Sequence, residues 1–282
     1  MFDKTSTFVC VVLGATLATV PAAAQPATEP EAVSTSSGSP EGIAQVTLPK
    51  GRLLLDVYFA ASLVSGAEFK PFSLSPDIWY GATEELTVGL VHSSVGGSGF
   101  MGGAGTSLCL AGTAGACTDV YKGFGIDARY KLKSGMLAYA AEGGLYVTTF
   151  DPFVMAVKLG LVARWQKDKI AVELAPNLAI GIAGRTTGEG MAEVATNAET
   201  LNVPATGLFA VTPKISAALQ TGVILPFENT DGWAIPLSIG GFFSVNESIN
   251  VNLAFSLPRL VGGGEGTGVD DRSLTLGGSY AF

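Results

Sequence analysis

The sequence predicts an all-β protein, an antiparallel up-and-down transmembrane β-barrel of about twelve strands. From residue 51 onward, segment after segment alternates large apolar residues with small or polar ones, as strands with one apolar face do. These segments run to roughly 10 to 13 residues, whereas ordinary strands average about 5 to 6. The chain is also apolar, with mean hydropathy +0.40 and 14% charged residues, against about 25% in soluble domains.

The first 24 residues are predicted to be a secretory signal peptide. Lys4 supplies a basic start, residues 8–20 form an apolar run, and Pro-Ala-Ala-Ala before Gln25 offers a cleavage site. The competing interpretation is a membrane anchor, but a helix needs roughly 20 apolar residues to span a bilayer, and this run is shorter. The signal peptide is therefore preferred, and it directs the chain out of the cytoplasm.

Residues 25–50 are predicted to be a disordered periplasmic leader. Residues 25–42 consist largely of Pro, Ser, Thr, Ala, Glu and Gly, with almost no large apolar side chain. Such a composition buries too little surface to offset the entropy of ordering. The barrel domain is therefore expected to occupy residues 51–282.

The segment from residue 169 to 183 shows the strand pattern best, with seven apolar positions in strict alternation. Those positions are Ile170, Val172, Leu174, Pro176, Leu178, Ile180 and Ile182. A proline in a paired strand removes one hydrogen bond, so Pro176 predicts a local bulge. The other face carries small or polar residues, as expected for a strand between an apolar exterior and a narrow interior.

Connections between the strands alternate in length, which is typical of outer-membrane barrels. The short ones lie at residues 83–85, 133–135, 167–168, 212–213 and 246–248, and the long ones at 65–75, 95–120, 184–200, 226–232 and 258–270. An even strand number with a cleaved signal places both termini in the periplasm. Because strand boundaries are uncertain by several residues, about ten or about fourteen strands remain open as alternatives.

The last ten residues, Ser-Leu-Thr-Leu-Gly-Gly-Ser-Tyr-Ala-Phe, form a strand that ends the chain on an aromatic residue. Leu274, Leu276, Tyr280 and Phe282 share one face with Gly278. This pattern resembles the closing strand of bacterial outer-membrane β-barrels, and the resemblance covers residues 51–282. It implies a Gram-negative outer membrane, contact with outer-membrane lipid, and insertion by the barrel-assembly machinery through the C-terminal strand. It names no particular family member.

Charged residues recur on the small and polar face of the predicted strands, which should line the barrel interior. They are Asp56, Asp127, Arg129, Lys131, Glu142, Lys158, Arg164, Glu173 and Lys214. We expect Arg129 to meet Glu142, and Glu142 to meet Lys158, across neighbouring strands. Small residues beside them, such as Gly125 and Gly144, are expected to leave room for water or a small solute.

This set of charges allows two interpretations. The structural one is a group of ion pairs that neutralise one another in a narrow interior. The functional one is a pore lining that selects charged solutes. The candidate selectivity residues are Asp127, Arg129, Glu142, Lys158, Arg164 and Glu173.

Other motifs indicate little chemistry. Cys109 and Cys117 are expected to pair as a disulfide in an oxidising compartment, and with His92 they are too few for a metal site. Residues 97–102 spell the dinucleotide fingerprint but lack the strand and helix that it requires.

Ser94 shares a strand face with His92, although no acidic or amide residue is placed to orient the histidine. The net charge of -8 argues against nucleic-acid binding.

Three functions follow, and no cofactor or enzymatic activity is expected. The first is a narrow passive channel for small hydrophilic solutes, since about twelve strands lie between the filled eight-stranded and the open sixteen-stranded barrels. The second is a structural or surface-interaction barrel that acts through the loop at residues 95–120, stapled by Cys109 and Cys117, and the glycine-rich loop at 258–270. The third, weaker one is lipid hydrolysis through His92. The pattern leaves the solute and the oligomeric state open.

Overall fold

The computed structural model describes residues 45–65, 69–93, 108–111, 120–187, 194–195, 197–228, 232–263 and 268–282. The predicted signal peptide and most of the predicted leader lie outside these ranges. In the part of the chain that is described, no helix is both long enough and apolar enough to cross a membrane.

Sixteen β-segments make up the described structure. They are β1 (Leu53–Ser62), β2 (Phe72–Gly81), β3 (Leu86–Val91), β4 (Leu108–Ala111), β5 (Phe124–Lys133), β6 (Leu137–Phe150), β7 (Phe153–Lys167), β8 (Ile170–Leu174), β9 (Asn177–Ala183), β10 (Thr186–Thr187), β11 (Val194–Ala195), β12 (Thr200–Ala210), β13 (Ile215–Pro226), β14 (Ala234–Ser244), β15 (Ile249–Gly262) and β16 (Ser273–Ala281). All of them except the small β10–β11 hairpin belong to one antiparallel sheet.

This sheet closes into a barrel because β1 pairs with both β2 and β16. The closing pair runs in register from Leu54 opposite Ala281 to Ser62 opposite Ser273. The amide of Phe282 also donates to the carbonyl of Leu53 at 2.9 Å. The C-terminal strand therefore seals the barrel, and closure removes the unpaired edges that an open sheet would expose.

Apart from the β10–β11 hairpin, fourteen β-segments belong to the barrel sheet. Two of the barrel strands each consist of two such segments, so the fourteen segments form twelve spanning strands. β3 and β4 both pair with β2, and β8 and β9 both lie between β7 and β12. The predicted strand number is therefore confirmed. The predicted bulge at Pro176 is wrong, because the register with β7 and with β12 is the same on either side of the proline.

Alternation along the strands separates the two faces of the barrel wall as predicted. Leu159 and Leu161 of β7 are about half exposed on the outside, whereas Val162 is fully buried inside. Aromatic residues project outward near the strand ends, and the rings of Tyr280 and Phe282 lie edge to face with 4.2 Å between centroids. The exterior thus carries the apolar, aromatic-bordered surface typical of a barrel in lipid.

The two ends of the barrel differ in their connections. The short-turn end carries the turns at residues 82–85, 134–136, 168–169, 211–214 and 245–248. The long-loop end carries the longer connections and, as an exception, the two-residue turn at residues 151–152 between β6 and β7. Three predicted boundaries are corrected. β2 begins at Phe72, β15 extends to Gly262, and β4 lies inside the segment that was expected to be one loop, at residues 95–120. In each case backbone pairing with a neighbouring strand extends beyond the clear apolar alternation.

Candidate functional site

All six candidate selectivity residues face the barrel interior on four consecutive strands. They are Asp127 and Arg129 on β5, Glu142 on β6, Lys158 and Arg164 on β7, and Glu173 on β8. Four of these side chains are only 2–3% exposed, and Arg129 and Glu173 are 28% and 31% exposed. The interior is therefore charged on one side.

Four of the six form one connected network. Arg129 donates from Nε to Glu142 Oε1 at 2.9 Å, and Lys158 Nζ lies 3.1 Å from the same oxygen. Lys158 also forms an ion pair with Asp127 Oδ2, which accepts a hydrogen bond from the Tyr146 hydroxyl at 2.8 Å. Both contacts expected from the sequence are present. The Lys158–Asp127 pair, which bridges across the strand between them, was not expected.

Gly144 explains how Lys158 and Asp127 meet although β6 lies between their strands. Gly144 is opposite Asp127 on β5 and opposite Lys158 on β7. A Cβ atom at this glycine would lie 2.8 Å from Asp127 Oδ1 and 2.9 Å from the Tyr146 ring. Because Gly144 has no side chain, the Lys158–Asp127 ion pair can form across the inner surface of β6.

The same reasoning predicts the effect of Gly144→Val. The new side chain collides with the Asp127 carboxylate and the Tyr146 ring, so we expect the free energy of unfolding to fall by about 1–3 kcal/mol. Urea unfolding in detergent micelles, followed by tryptophan fluorescence, measures it. Gly143→Val is the matched control, because a Cβ there has its nearest contact at 3.6 Å. Equal stability of the two variants would contradict this account.

Aromatic rings cover two of the wall glycines. The Trp79 ring lies over Gly89 and the Tyr146 ring over Gly125, each within 2.3 Å of an ideal Cβ position. Arg129 then sits above Trp79 at 4.8 Å from the ring centroid, a cation–π contact. The expectation that Gly125 leaves room for solute is therefore corrected, since the space holds a ring.

Arg164 and Glu173 stand apart from this network. Their closest charged atoms are 3.9 Å apart. All three guanidinium nitrogens of Arg164 are buried without a hydrogen-bond partner. The six residues therefore divide into a tightly paired group of four and a loosely paired group of two.

The N-terminal segment at residues 45–48 enters the barrel interior. Val46 packs with Ala140 and Val162 in a buried apolar cluster, which Ala138 and Ala175 extend. Thr47 is buried as well. The boundary at residue 50 assigned this segment to a disordered leader, and the structure corrects that assignment for residues 45–50. Polar and apolar residues do alternate in Gln-Val-Thr-Leu, but four residues before a proline are too short a run to predict burial.

The segment is held to the barrel wall near the short-turn end. The Leu48 amide donates to Thr87 Oγ1 at 2.7 Å. The Pro49 carbonyl oxygen lies 2.0 Å from the position that a Cβ of Gly81 would occupy, so only glycine allows this approach. Gly51, at φ 79°, then turns the chain into β1.

Between this segment and the charged network lies a cavity of about 240 Å³. That volume is large enough to hold several water molecules. It is lined by Gln45, Val46, Thr47, Leu48, Leu54, Asp56, Tyr58, Asp77, Trp79, Thr87, Val91, Ser93, Asp127, Arg129, Glu142, Tyr146, Lys158, Glu173, Ala175 and Gln220. The cavity is therefore polar, charged and partly roofed by the chain's own N-terminal segment.

Asp77 is an interior carboxylate that the sequence reasoning missed. It lies directly opposite Asp56 on the neighbouring strand, and both are buried. The predicted connection at residues 65–75 covered the start of this strand, so its inward face was not recognised, although Ser73, Ser75, Asp77 and Trp79 alternate with larger apolar residues. Lys214 was expected to face the interior but lies exposed in a turn, because β13 begins at the following residue.

His92, Ser93 and Asp77 do not form a hydrolytic relay. Ser93 Oγ donates to Asp77 Oδ2, and the backbone amides of His92 and Ser93 donate to Asp77 Oδ1 at 2.6 and 2.9 Å. The His92 ring instead contacts the Pro76 carbonyl and the Tyr121 hydroxyl, 3.0 Å from Nε2. Asp77 therefore ends β3 by capping two amides, and the histidine lies in an aromatic group with Tyr121.

Several sequence predictions fall outside the described residues. Cys109 is buried in β4, but Cys117 is not described, so the disulfide stays a prediction. The motif at residues 97–102 and Ser94 also lie outside. Among the residues that are described, no group of three potential metal ligands occurs.

At the long-loop end, one arginine joins three segments. Arg185 donates to the Gly181 carbonyl at 3.2 Å and pairs with Glu199 at 2.7 Å and Glu228 at 3.3 Å. A backbone hydrogen bond and the Arg185 side chain lower the pKa of Glu199. The contribution of this pair to stability is accordingly present at neutral pH and lost as the pH falls through that pKa.

Comparison with known proteins is informative for structure alone. No family model matches the sequence, and no curated protein does either. Among solved structures, an outer membrane channel from Pseudomonas putida F1 is similar, with a TM-score of 0.55, 15% identity, and coverage of 89% of this chain and 100% of that one. The KdgM porin matches with a TM-score of 0.53 and 8% identity over 81% of this chain and 99% of that one. At such identities the likeness shows a shared outer-membrane-barrel fold.

Proposed function

We propose that this protein is a narrow passive channel for small hydrophilic solutes in the bacterial outer membrane. The observation that carries the proposal is the polar, charged cavity of about 240 Å³ inside a closed barrel. A barrel that served only as a rigid support would gain stability from an apolar, tightly packed interior. Two structurally similar proteins are described as a channel and a porin, which supports the proposal.

The exterior and the connections support the proposed location. An outward apolar surface bordered by aromatic residues suits a bilayer. In outer-membrane barrels the short turns face the periplasm and the long loops face outward. We therefore place the short-turn end, and with it both ends of the barrel domain, in the periplasm.

The charges around the cavity favour cations. Five carboxylates line it, Asp56, Asp77, Asp127, Glu142 and Glu173, against two cations, Arg129 and Lys158. With all seven ionised, the lining carries a net charge of -3. Acidic linings raise the local concentration of cations in a low-dielectric passage, so permeating ions should be mainly positive.

The test of the channel is single-channel recording of the detergent-refolded protein in a planar bilayer. Steady, reproducible current steps, with a reversal potential in asymmetric KCl that indicates K⁺ preference, are the expected result. Protein that inserts, shown by a heat-modifiable band on gels, but stays silent at every voltage would overturn the proposal.

Neutralising the two lining carboxylates that form no ion pair within the described residues, Asp56 and Asp77, should reduce cation preference. In the double variant Asp56→Asn, Asp77→Asn, we expect the reversal potential to shift toward zero, because two of the five lining carboxylates lose their charge. Glu84→Gln is the control, because this substitution also removes a negative charge but does so in an exposed turn. An unchanged reversal potential in the double variant would show that these groups do not face the ion path.

A second candidate is a barrel that does not transport and acts through its long loops. The observation in its favour is the N-terminal segment that occupies part of the interior. Deleting residues 100–106, which leaves β4 intact, would separate the two candidates. A surface-interaction barrel would lose partner binding and keep membrane insertion, whereas a channel would keep its conductance.

A further inference from the structure

The wall formed by β15 and β16 differs from the charged wall across the interior. Its inward positions, from Asn250 to Ser256 and from Ser273 to Ser279, hold no ionisable side chain. In order they are Asn250, Asn252, Ala254 and Ser256 on β15, and Ser273, Thr275, Gly277 and Ser279 on β16. Hydroxyl and amide groups thus follow one another along the height of the barrel.

Four polar atoms on this wall have no hydrogen-bond partner although they are buried. They are Asn250 Oδ1, Asn252 Oδ1, Ser273 Oγ and Thr275 Oγ1. Each of these residues is at most 5% exposed. Buried polar atoms in folded proteins are nearly always paired, so unpaired ones call for an explanation such as bound water or a ligand.

The arrangement of these atoms is regular. The register places Asn250 opposite Ser279, Asn252 opposite Gly277 and Ser256 opposite Ser273. Neighbouring strands are about 4.8 Å apart and successive inward residues about 7 Å apart. Uncharged donors and acceptors therefore form a lattice, which suits a ligand that offers several hydroxyl groups at once.

Gly277 links this lattice to the cavity. A Cβ on Gly277 would lie 2.5 Å from the Asn252 amide and 2.7 Å from the Tyr58 ring, so both side chains lean over the glycine. Tyr58 also lines the cavity of about 240 Å³. An aromatic ring beside an amide offers an apolar face and hydrogen bonds together.

We propose that the β15–β16 wall is a binding track for uncharged polyhydroxylated solutes of the sugar class, reached from the cavity past Tyr58. This inference rests on the proposed channel function and narrows its substrate class. An apolar ligand would leave the four polar atoms unpaired, and a charged one finds no counter-charge on this wall. A neutral polyol pairs with them as both donor and acceptor.

The experiment titrates glucose against the ion current of the full-length protein in a planar bilayer. In the wild type, glucose is expected to reduce the current in a saturable way. Thr275→Val and Asn252→Leu each remove a group on the wall, and we expect the half-effective glucose concentration to rise about fivefold in each. Thr206→Val is the matched control, because Thr206 lies on β12 and contacts Gln220 at 3.4 Å.

The outcomes are distinguishable. Absence of current steps in any salt overturns the proposed channel itself. Normal steps that glucose leaves unchanged in the wild type overturn the track and leave the channel standing, whether or not the variants fold. A glucose effect that Thr206→Val weakens as much as Thr275→Val also overturns it, since binding would then not reside on β15 and β16.

Discussion

Replacing Lys158 with methionine is expected to lower the free energy of unfolding by about 3–5 kcal/mol. The ammonium group of Lys158 sits between two buried carboxylates, Asp127 and Glu142. Without it, Asp127 keeps only the hydrogen bond from Tyr146 and a local backbone amide. A buried carboxylate that loses its counter-charge carries a desolvation cost that these bonds do not offset. Urea unfolding in micelles measures the loss.

Two further variants make this result interpretable. Lys167→Met removes a lysine from the exposed end of the same strand and is expected to change stability by less than about 0.5 kcal/mol. The double variant Lys158→Met, Asp127→Asn should recover much of the loss, because Glu142 retains its bond to Arg129. A double variant no more stable than Lys158→Met would show that the ion pair with Asp127 is not the source of the effect.

The second large effect is expected from Val46→Asp, which should raise the single-channel conductance several-fold. Val46 packs against Ala140 and Val162, both fully buried. A carboxylate placed there loses its hydration and finds no partner in the apolar cluster, so the segment should leave the interior. The passage that residues 45–48 narrow then becomes wider for hydrated ions.

Ser134→Asp is the matched control, because it adds the same charge in an exposed turn, at a residue that does not line the cavity. Its conductance should stay near that of the wild type. If Val46→Asp conducts no better than Ser134→Asp, then the N-terminal segment does not limit the passage of ions, and the narrowest point lies elsewhere.

Period-two alternation carries the fold and much of the candidate site. It predicts twelve spanning strands, and the inward position of Asp127, Glu142 and Lys158 follows from strand parity. The contact of Arg129 with Glu142 was also predictable, because β5 and β6 are joined by a short turn that sets their register. These features depend on neighbours in the chain, which a sequence displays directly.

The tertiary structure decided what depends on distant residues. Lys158 reaches Asp127 because Gly144 on the strand between them has no side chain. Asp77 joins the interior because pairing with β1 extends β2 back to Phe72.

The burial of the N-terminal segment at residues 45–48 also depends on distant residues. The segment's polar–apolar alternation covers only four residues. The segment is buried because the closed wall offers Val46 a small apolar recess at Ala140 and Val162 and offers the Leu48 amide an acceptor at Thr87. The sequence by itself therefore determined the barrel, its two faces and the strand pairs joined by turns. Which interior groups touch, and what fills the space between them, depends on the closed wall, because closure brings together residues that no local pattern connects.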